Sequence, residues 1–157
     1  MNNFTLKEIE GRTIFKEFLD QVKNAKDWNP TKGEFDYVDG FFELGDKKIV
    51  VEIKTRDIKY SNYASHLIQI DKFMNLTKAK LDNNCKTGIY VNIFGDNLIY
   101  LYDIKDINNN NCMLVNKYVN RTTAIDKGKT YKLFYDIPVR YAQIFKKDNG
   151  VWKRINK

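Results

Sequence analysis

FDYVDGFFELGDKKIVVEIKTR, residues 35–56, reads as a β-hairpin. Two runs rich in Val, Ile, Tyr and Phe flank Gly45-Asp46, a dipeptide that supplies the positive φ required by tight hairpin turns. With Gly45 and Asp46 at the centre of the turn, Leu44 pairs with Lys47, and counting back along both strands sets Asp39 opposite Glu52. Opposed residues share a face, with Cβ atoms about 4.5–5.5 Å apart. Lys54, two residues beyond Glu52, projects from that same face, while Val51 and Ile53 project from the other.

Two carboxylates and an ammonium thus converge. Carboxylates held side by side repel unless a cation lies between them. Mg²⁺ suits the place, because it takes oxygen ligands and uses one or two carboxylates besides water and substrate phosphate. The plainer account is a solvated salt-bridge cluster, and E-x-K by itself carries no weight against it. The setting does carry weight: Glu52 and Lys54 are embedded in an apolar strand (Ile49, Val50, Val51, Ile53) and preceded at hairpin distance by an acid.

Asp39 followed by Glu52-Ile53-Lys54 at the end of the next strand resembles the motif of the PD-(D/E)XK nuclease superfamily. Thr55-Arg56 and the helix expected after them fit as well. The resemblance covers residues 5–105 and departs in lacking a Pro before the first Asp. It implies a restriction-endonuclease-like fold of the α/β class: an αβββαβ core whose central mixed β-sheet is flanked by helices, here with extra C-terminal β-strands over 112–157. It implies hydrolysis of DNA phosphodiester bonds with Mg²⁺, for which Mn²⁺ would substitute, held by Asp39, Glu52 and the Ile53 carbonyl. Lys54 would position the attacking water. A first-helix acid that contributes to the metal site is also implied, and Glu10 is better placed for it than Glu17. Arg56 and Lys59 become candidate phosphate contacts, against ordinary surface charge. Gln69, in a segment that resembles the Q-x-x-x-Y motif with Phe73 in place of Tyr, is a candidate nucleic-acid contact. Asp36 rivals Asp39 only if the hairpin turn holds an odd number of residues.

The chain of 157 residues suits one domain, and 43% hydrophobic with 14% aromatic residues gives ample material for a core. A net charge of +7 favours a polyanionic partner, although Lys- and Asn-rich composition also arises from AT-rich coding sequence. Cys85 and Cys112 stand far apart, in no C-x-x-C pattern, and His66 is the single histidine, which argues against a zinc finger or a His-based metal site. The first ten residues form neither a signal peptide nor an apolar span, so a soluble, cytoplasmic protein with no membrane partner is expected.

A first helix is expected over residues 4–26, with Ile14, Phe18, Val22 and Ala25 on its apolar face and Thr5 as N-cap. Residues 27–33 form a loop with room for a short strand. Ser61 is expected to cap a second helix reaching Leu81, with Leu67, Ile70, Met74 and Leu81 as its core stripe and His66 on its flank. Strands follow at 87–94 and 98–104, then a polar loop at 108–111. Further β-segments at 113–119, 130–137 and 139–145 either complete the sheet edge or form an appendage, with Pro138 as a break. The basic tail with Trp152 reads as a frayed terminus or as a backbone clamp.

The reading that follows is a metal-dependent deoxyribonuclease, with a ribonuclease as its variant and a homodimer as one way to cut two strands. A nucleic-acid-binding module of the same fold and an interaction protein with an incidental charged cluster stand as alternatives.

Overall fold

The computed structural model describes residues 3–32, 37–59, 63–110, 112–121 and 128–156. In chain order the elements are α1 (Asn3–Leu19), β1 (Ala25–Pro30), β2 (Gly40–Leu44), β3 (Lys47–Arg56), β4 (Ser65–Gln69), α2 (Ile70–Asp82), β5 (Thr87–Phe94), β6 (Leu98–Asp103), α3 (Ile104–Asn109), β7 (Met113–Asn120), β8 (Lys129–Pro138), β9 (Gln143–Asp148) and β10 (Val151–Arg154), with a short 3₁₀ turn at Val139–Tyr141. Among the described residues a seven-stranded sheet runs in the order β1-β2-β3-β5-β6-β9-β10, and a second sheet of three strands runs β4-β8-β7. The large sheet is mixed: β3 and β5 are parallel, and the other neighbours are antiparallel. The parallel pair needs a crossover, which β4 and α2 provide. Helix, three strands, helix, strand is the order the superfamily resemblance implies, with β4 inserted.

The hairpin has the expected register. Leu44 pairs with Lys47 and Gly40 with Val51, and Gly45 turns the chain at φ 64°. On one face of the large sheet, Phe15, Phe18 and Leu19 of α1 pack on Phe42, Val51, Val91, Ile93 and Ile99. On the other face, Phe73 and Leu76 of α2, Ile104 and Ile107 of α3, and Ile68 and Ile137 of the small sheet pack on Val50, Tyr90 and Tyr102. Among the described residues no helix is long and apolar enough to cross a membrane.

Four expectations are corrected. The first helix begins before Thr5 and stops at Leu19, after which Gln21 and Val22 donate only three residues back, to Phe18 and Leu19, and left-handed Asn24 (φ 66°) leads the chain into β1. Val22 and Ala25 still pack on the same cluster, but from outside the helix. The second helix starts at Ile70: residues 65–69 alternate in burial, with His66 and Ile68 inward, and pair with β8 as a strand. Its core stripe is Phe73 and Leu76, while Met74 and Leu81 stay 62% and 72% exposed. Of the polar run expected as a loop at 108–111, Asn108 and Asn109 close α3 and Asn110 is its C-cap, and the helix is capped at its start by Asp103, whose side chain accepts the Lys105 N–H. The tail is not frayed: Trp152 lies on β10, 9% exposed, with its ring 5.9 Å from that of Phe18. Ser61, the expected cap, lies outside the described residues. The C-terminal segments do both things expected of them, β9 and β10 extending the large sheet and β7 and β8 building the small one.

Candidate active site

The candidate centre lies where the chain enters β2 and where β3 runs towards its C-terminal end. Asp39 precedes β2, and its backbone N–H donates to the Val51 carbonyl at 2.9 Å. That bond continues the hairpin ladder one step and sets the Asp39 side chain beside Glu52. Both residues are buried, at 7% and 6% exposure. Asp39 Oδ2 accepts the Ile53 N–H at 2.7 Å. Asp39 Oδ1 accepts from Arg12 Nε and Nη2, both at 3.2 Å. Glu52 Oε1 lies 3.2 Å from Lys72 Nζ of α2.

The electrostatics follow from burial and crowding. Glu52 has its pKa pushed up to about 8, first by burial and then by Asp39, with Lys72 pulling the other way. Burial works against the Lys72 ammonium, but Glu52, Asp39 and Glu8 outweigh it and hold its pKa above the ordinary value. Lys54 is lowered, by burial first and then by Arg56 and Lys72. A carboxyl that resists ionisation beside a second carboxylate marks a place where a proton or an external cation is needed. Two carboxylates and a strand carbonyl match the oxygen set that Mg²⁺ accepts while keeping several waters. Among the described residues no group of three His, Cys, Asp or Glu is gathered closely enough to form a metal cage.

Asp39, Glu52, Ile53 and Lys54 are therefore brought together. Glu10 is not: it is exposed on α1. The helix acid that feels the site is Glu8, whose pKa is raised by burial and then by Asp39. Glu8 and Arg12 are four residues apart and share a face, whereas Glu10 is about 200° around the helix from Glu8. Gly11 fixes this placement, since a Cβ there would collide with the Thr55 hydroxyl and crowd Ile53. The helix backbone rests on β3 at that point, which carries Glu8 and Arg12 to the entrance of β2.

Arg56 points inward. Its Nε donates to Asn92 Oδ1 at 2.9 Å, and Asn92 is wholly buried on β5. Lys59 is exposed. Gln69 ends β4 and stands at the N-cap position of α2, its Nε2 3.4 Å from Asp71 Oδ2; it leads to Lys72, which does reach Glu52. Phe73, at the place of the motif's Tyr, is buried with its ring 5.1 Å from that of Tyr135. Asp36, the rival first acid, lies outside the described residues. His66 is buried with Nδ1 2.6 Å from the Tyr102 hydroxyl, and burial followed by Arg56 lowers its pKa to about 4.

Sequence reasoning missed Glu8, Arg12, Lys72 and Asn92. The i, i+4 pair Glu8/Arg12 was a usable signal, and so was a lysine in the first turn of the helix after the E-x-K strand. Asn92 gave none beyond being polar in an apolar run.

No family model and no curated protein matches the sequence. Among solved structures, the chain is similar to Hjc, a Holliday junction resolvase of the archaeal hyperthermophile Archaeoglobus fulgidus. The likeness has 14% identity, covers 81% of this chain and 84% of that one, and has a TM-score of 0.47.

Proposed function

We propose that this chain is a metal-dependent nuclease that hydrolyses DNA phosphodiester bonds. One observation carries the reading: Asp39 and Glu52 are buried side by side on a hairpin whose register follows from the sequence, with Lys54 two residues on. Asp39, Glu52 and the Ile53 carbonyl would hold Mg²⁺, or Mn²⁺ in its place, with Glu8 rather than Glu10 as the helix acid beside them. Mg²⁺ held there supplies Lewis-acid charge to a phosphodiester and makes a water acidic near neutral pH.

The protein's own groups account for the rest. Lys54 donates a hydrogen bond to the attacking water or to the phosphate oxygens that gain charge, and its lowered pKa makes it a readier proton donor than a surface lysine. Arg12 and the Ile53 N–H hold the Asp39 carboxylate in one orientation. Lys72 partly offsets the burial of Glu52 by favouring its ionised form, and it competes with a metal ion for that carboxylate. Arg56, tied to Asn92, adds positive field from beneath, and exposed Lys59 is the freer candidate for a phosphate.

A second reading is favoured by one feature. Arg12 and Lys72 already compensate both carboxylates, as they would in a nucleic-acid-binding module of this fold that does not cut. Cleavage of duplex, single-stranded and branched DNA and of RNA, with Mg²⁺, Mn²⁺ or EDTA, separates the two. Metal-dependent cutting that disappears in Glu52→Ala and in Lys54→Ala, with both variants folded, is the expected result. Full activity in either variant refutes the assignment, and binding without cutting in every metal selects the module.

A further inference from the structure

We propose that the outer half of the β7–β8 hairpin is a DNA-binding arm, a two-stranded ribbon whose lysines grip the phosphates of duplex DNA; the proposal rests on the nuclease reading for the identity of its polyanion. β4 pairs with β8 only from Phe134 to Pro138, so among the described residues Lys129–Leu133 of β8 has Asn116–Asn120 of β7 as its ladder partner and no third strand. A two-stranded ribbon of this kind is marginal by itself. Its composition does not favour it either: Lys117 and Lys132 are directly opposed, and like charges in that position are destabilising. Lys132 Nζ donates to the Arg121 carbonyl at 2.7 Å, which leaves further donors on its ammonium.

The opposite face carries Tyr118 against Tyr131, ring centroids 4.9 Å apart and the residues 58% and 68% exposed, followed by Leu133 at 52%. Between residues 117 and 132 the sequence has five basic side chains and one acidic. A ribbon with repelling cations on one face and bare aromatic rings on the other lacks what a polyanion would supply. A two-stranded β-ribbon also has the cross-section that the DNA major groove admits. The inner half of β8 is hydrogen-bonded to β4, whose Leu67 carbonyl accepts from Tyr90 Oη at 2.9 Å, with Arg56 Nη2 at 3.5 Å. β4 is thus tied to β3 through Arg56, two residues beyond Lys54, and the arm extends from its neighbour β8.

The test is the salt dependence of binding to a labelled duplex, followed by fluorescence anisotropy in EDTA. For Lys117→Ala/Lys132→Ala the slope of log K against log[salt] is expected to fall by about 1.8, because each phosphate contact contributes about 0.9. Lys117→Arg/Lys132→Arg keeps the slope, and Tyr118→Ser/Tyr131→Ser weakens binding with the slope unchanged. An unchanged slope and affinity in the double alanine variant overturns the proposal. So does a change in sedimentation mass without a change in slope, which assigns the face to a second copy of this chain, and so does a wild type that binds no duplex. Ribbon-dependent binding by a wild type that never cuts supports the arm and removes the nuclease reading.

Discussion

Replacing Glu52 by Gln in the metal-free protein should remove a pH dependence of stability that the fold imposes on itself. Well below pH 4.5, Glu52 is protonated in both the folded and the unfolded chain. As pH rises towards 8 the unfolded chain releases this proton and the folded chain keeps it, because burial and Asp39 have raised the folded pKa to about 8. The folded state then binds more protons than the unfolded one, so stability falls with pH through this window and is fully lost, for this group, above pH 8. The slope is about 1.4 kcal/mol per pH unit, and the whole window amounts to about 5 kcal/mol. That is a large share of the roughly 5–15 kcal/mol that holds a typical domain together. The amide introduced by Glu52→Gln does not titrate. Urea denaturation in EDTA at steps from pH 5 to 8.5 should show the stability of Glu52→Gln gaining steadily on the wild type, other titrations cancelling in the difference. A difference that stays constant across that range refutes the burial argument. Added Mg²⁺ should close the gap, and its affinity should weaken about tenfold for each pH unit below 8, since the ion needs the ionised carboxylate.

Further tests address the neighbours. His66, with its folded pKa lowered to about 4, stabilises the fold fully above pH 6.5 and loses that contribution as pH falls towards 4, by about 3 kcal/mol, because the unfolded chain takes up the proton first; His66→Gln should flatten that acid limb in urea titrations. Lys72→Met should lower metal-free stability at pH 8 by about 1 kcal/mol, a figure reduced for the half-exposed ammonium, and should enlarge the shift in melting temperature that Mg²⁺ produces. Gly11→Ala, which would add about 1 kcal/mol in an ordinary exposed helix, should instead destabilise and abolish cleavage, because α1 must lift from Thr55; a stabilised, active variant would show that the close approach does not position Arg12.

What was legible in the sequence was local. The register of the hairpin follows from two residues at its turn, and with it the juxtaposition of Asp39 and Glu52. The apolar run at 87–94 sufficed to mark β5 as a strand, which the structure lays parallel to β3. What stayed hidden depended on distant partners. Residues 61–69 read as the start of a helix because they run into one, and the period-two burial of His66 and Ile68 acquires meaning only when β8 arrives from seventy residues further on. The apolar residues Val22 and Ala25 continue a helical spacing by accident, and only the left-handed Asn24 reveals the break. The choice of Glu10 over Glu17 failed to anticipate which face of α1 meets β3 and so passed over Glu8, a matter decided by Gly11 and Thr55 rather than by hydrophobicity. Arg12 and Lys72 left a trace in their spacing, but not their partners Asp39 and Glu52: a cation's partner is a fact of packing.

Gln21 ties the two ends of this order together. Its Nε2 donates to the Gly150 carbonyl and its Oε1 accepts the Trp152 N–H, each at 2.8 Å, across sequence separations of 129 and 131 residues. The same helix that delivers Arg12 to Asp39 is thus clasped through its following turn by β10, and Phe18 beneath it packs on Trp152. Contacts this remote in sequence are slow to form. The seat of α1 thus depends on residues at the far end of the chain, whereas the pairing of Asp39 with Glu52 needs only the local hairpin. A chain cut after Gly150 should retain the hairpin, loosen the seat of α1, and hold its acids without the arginine that fixes them.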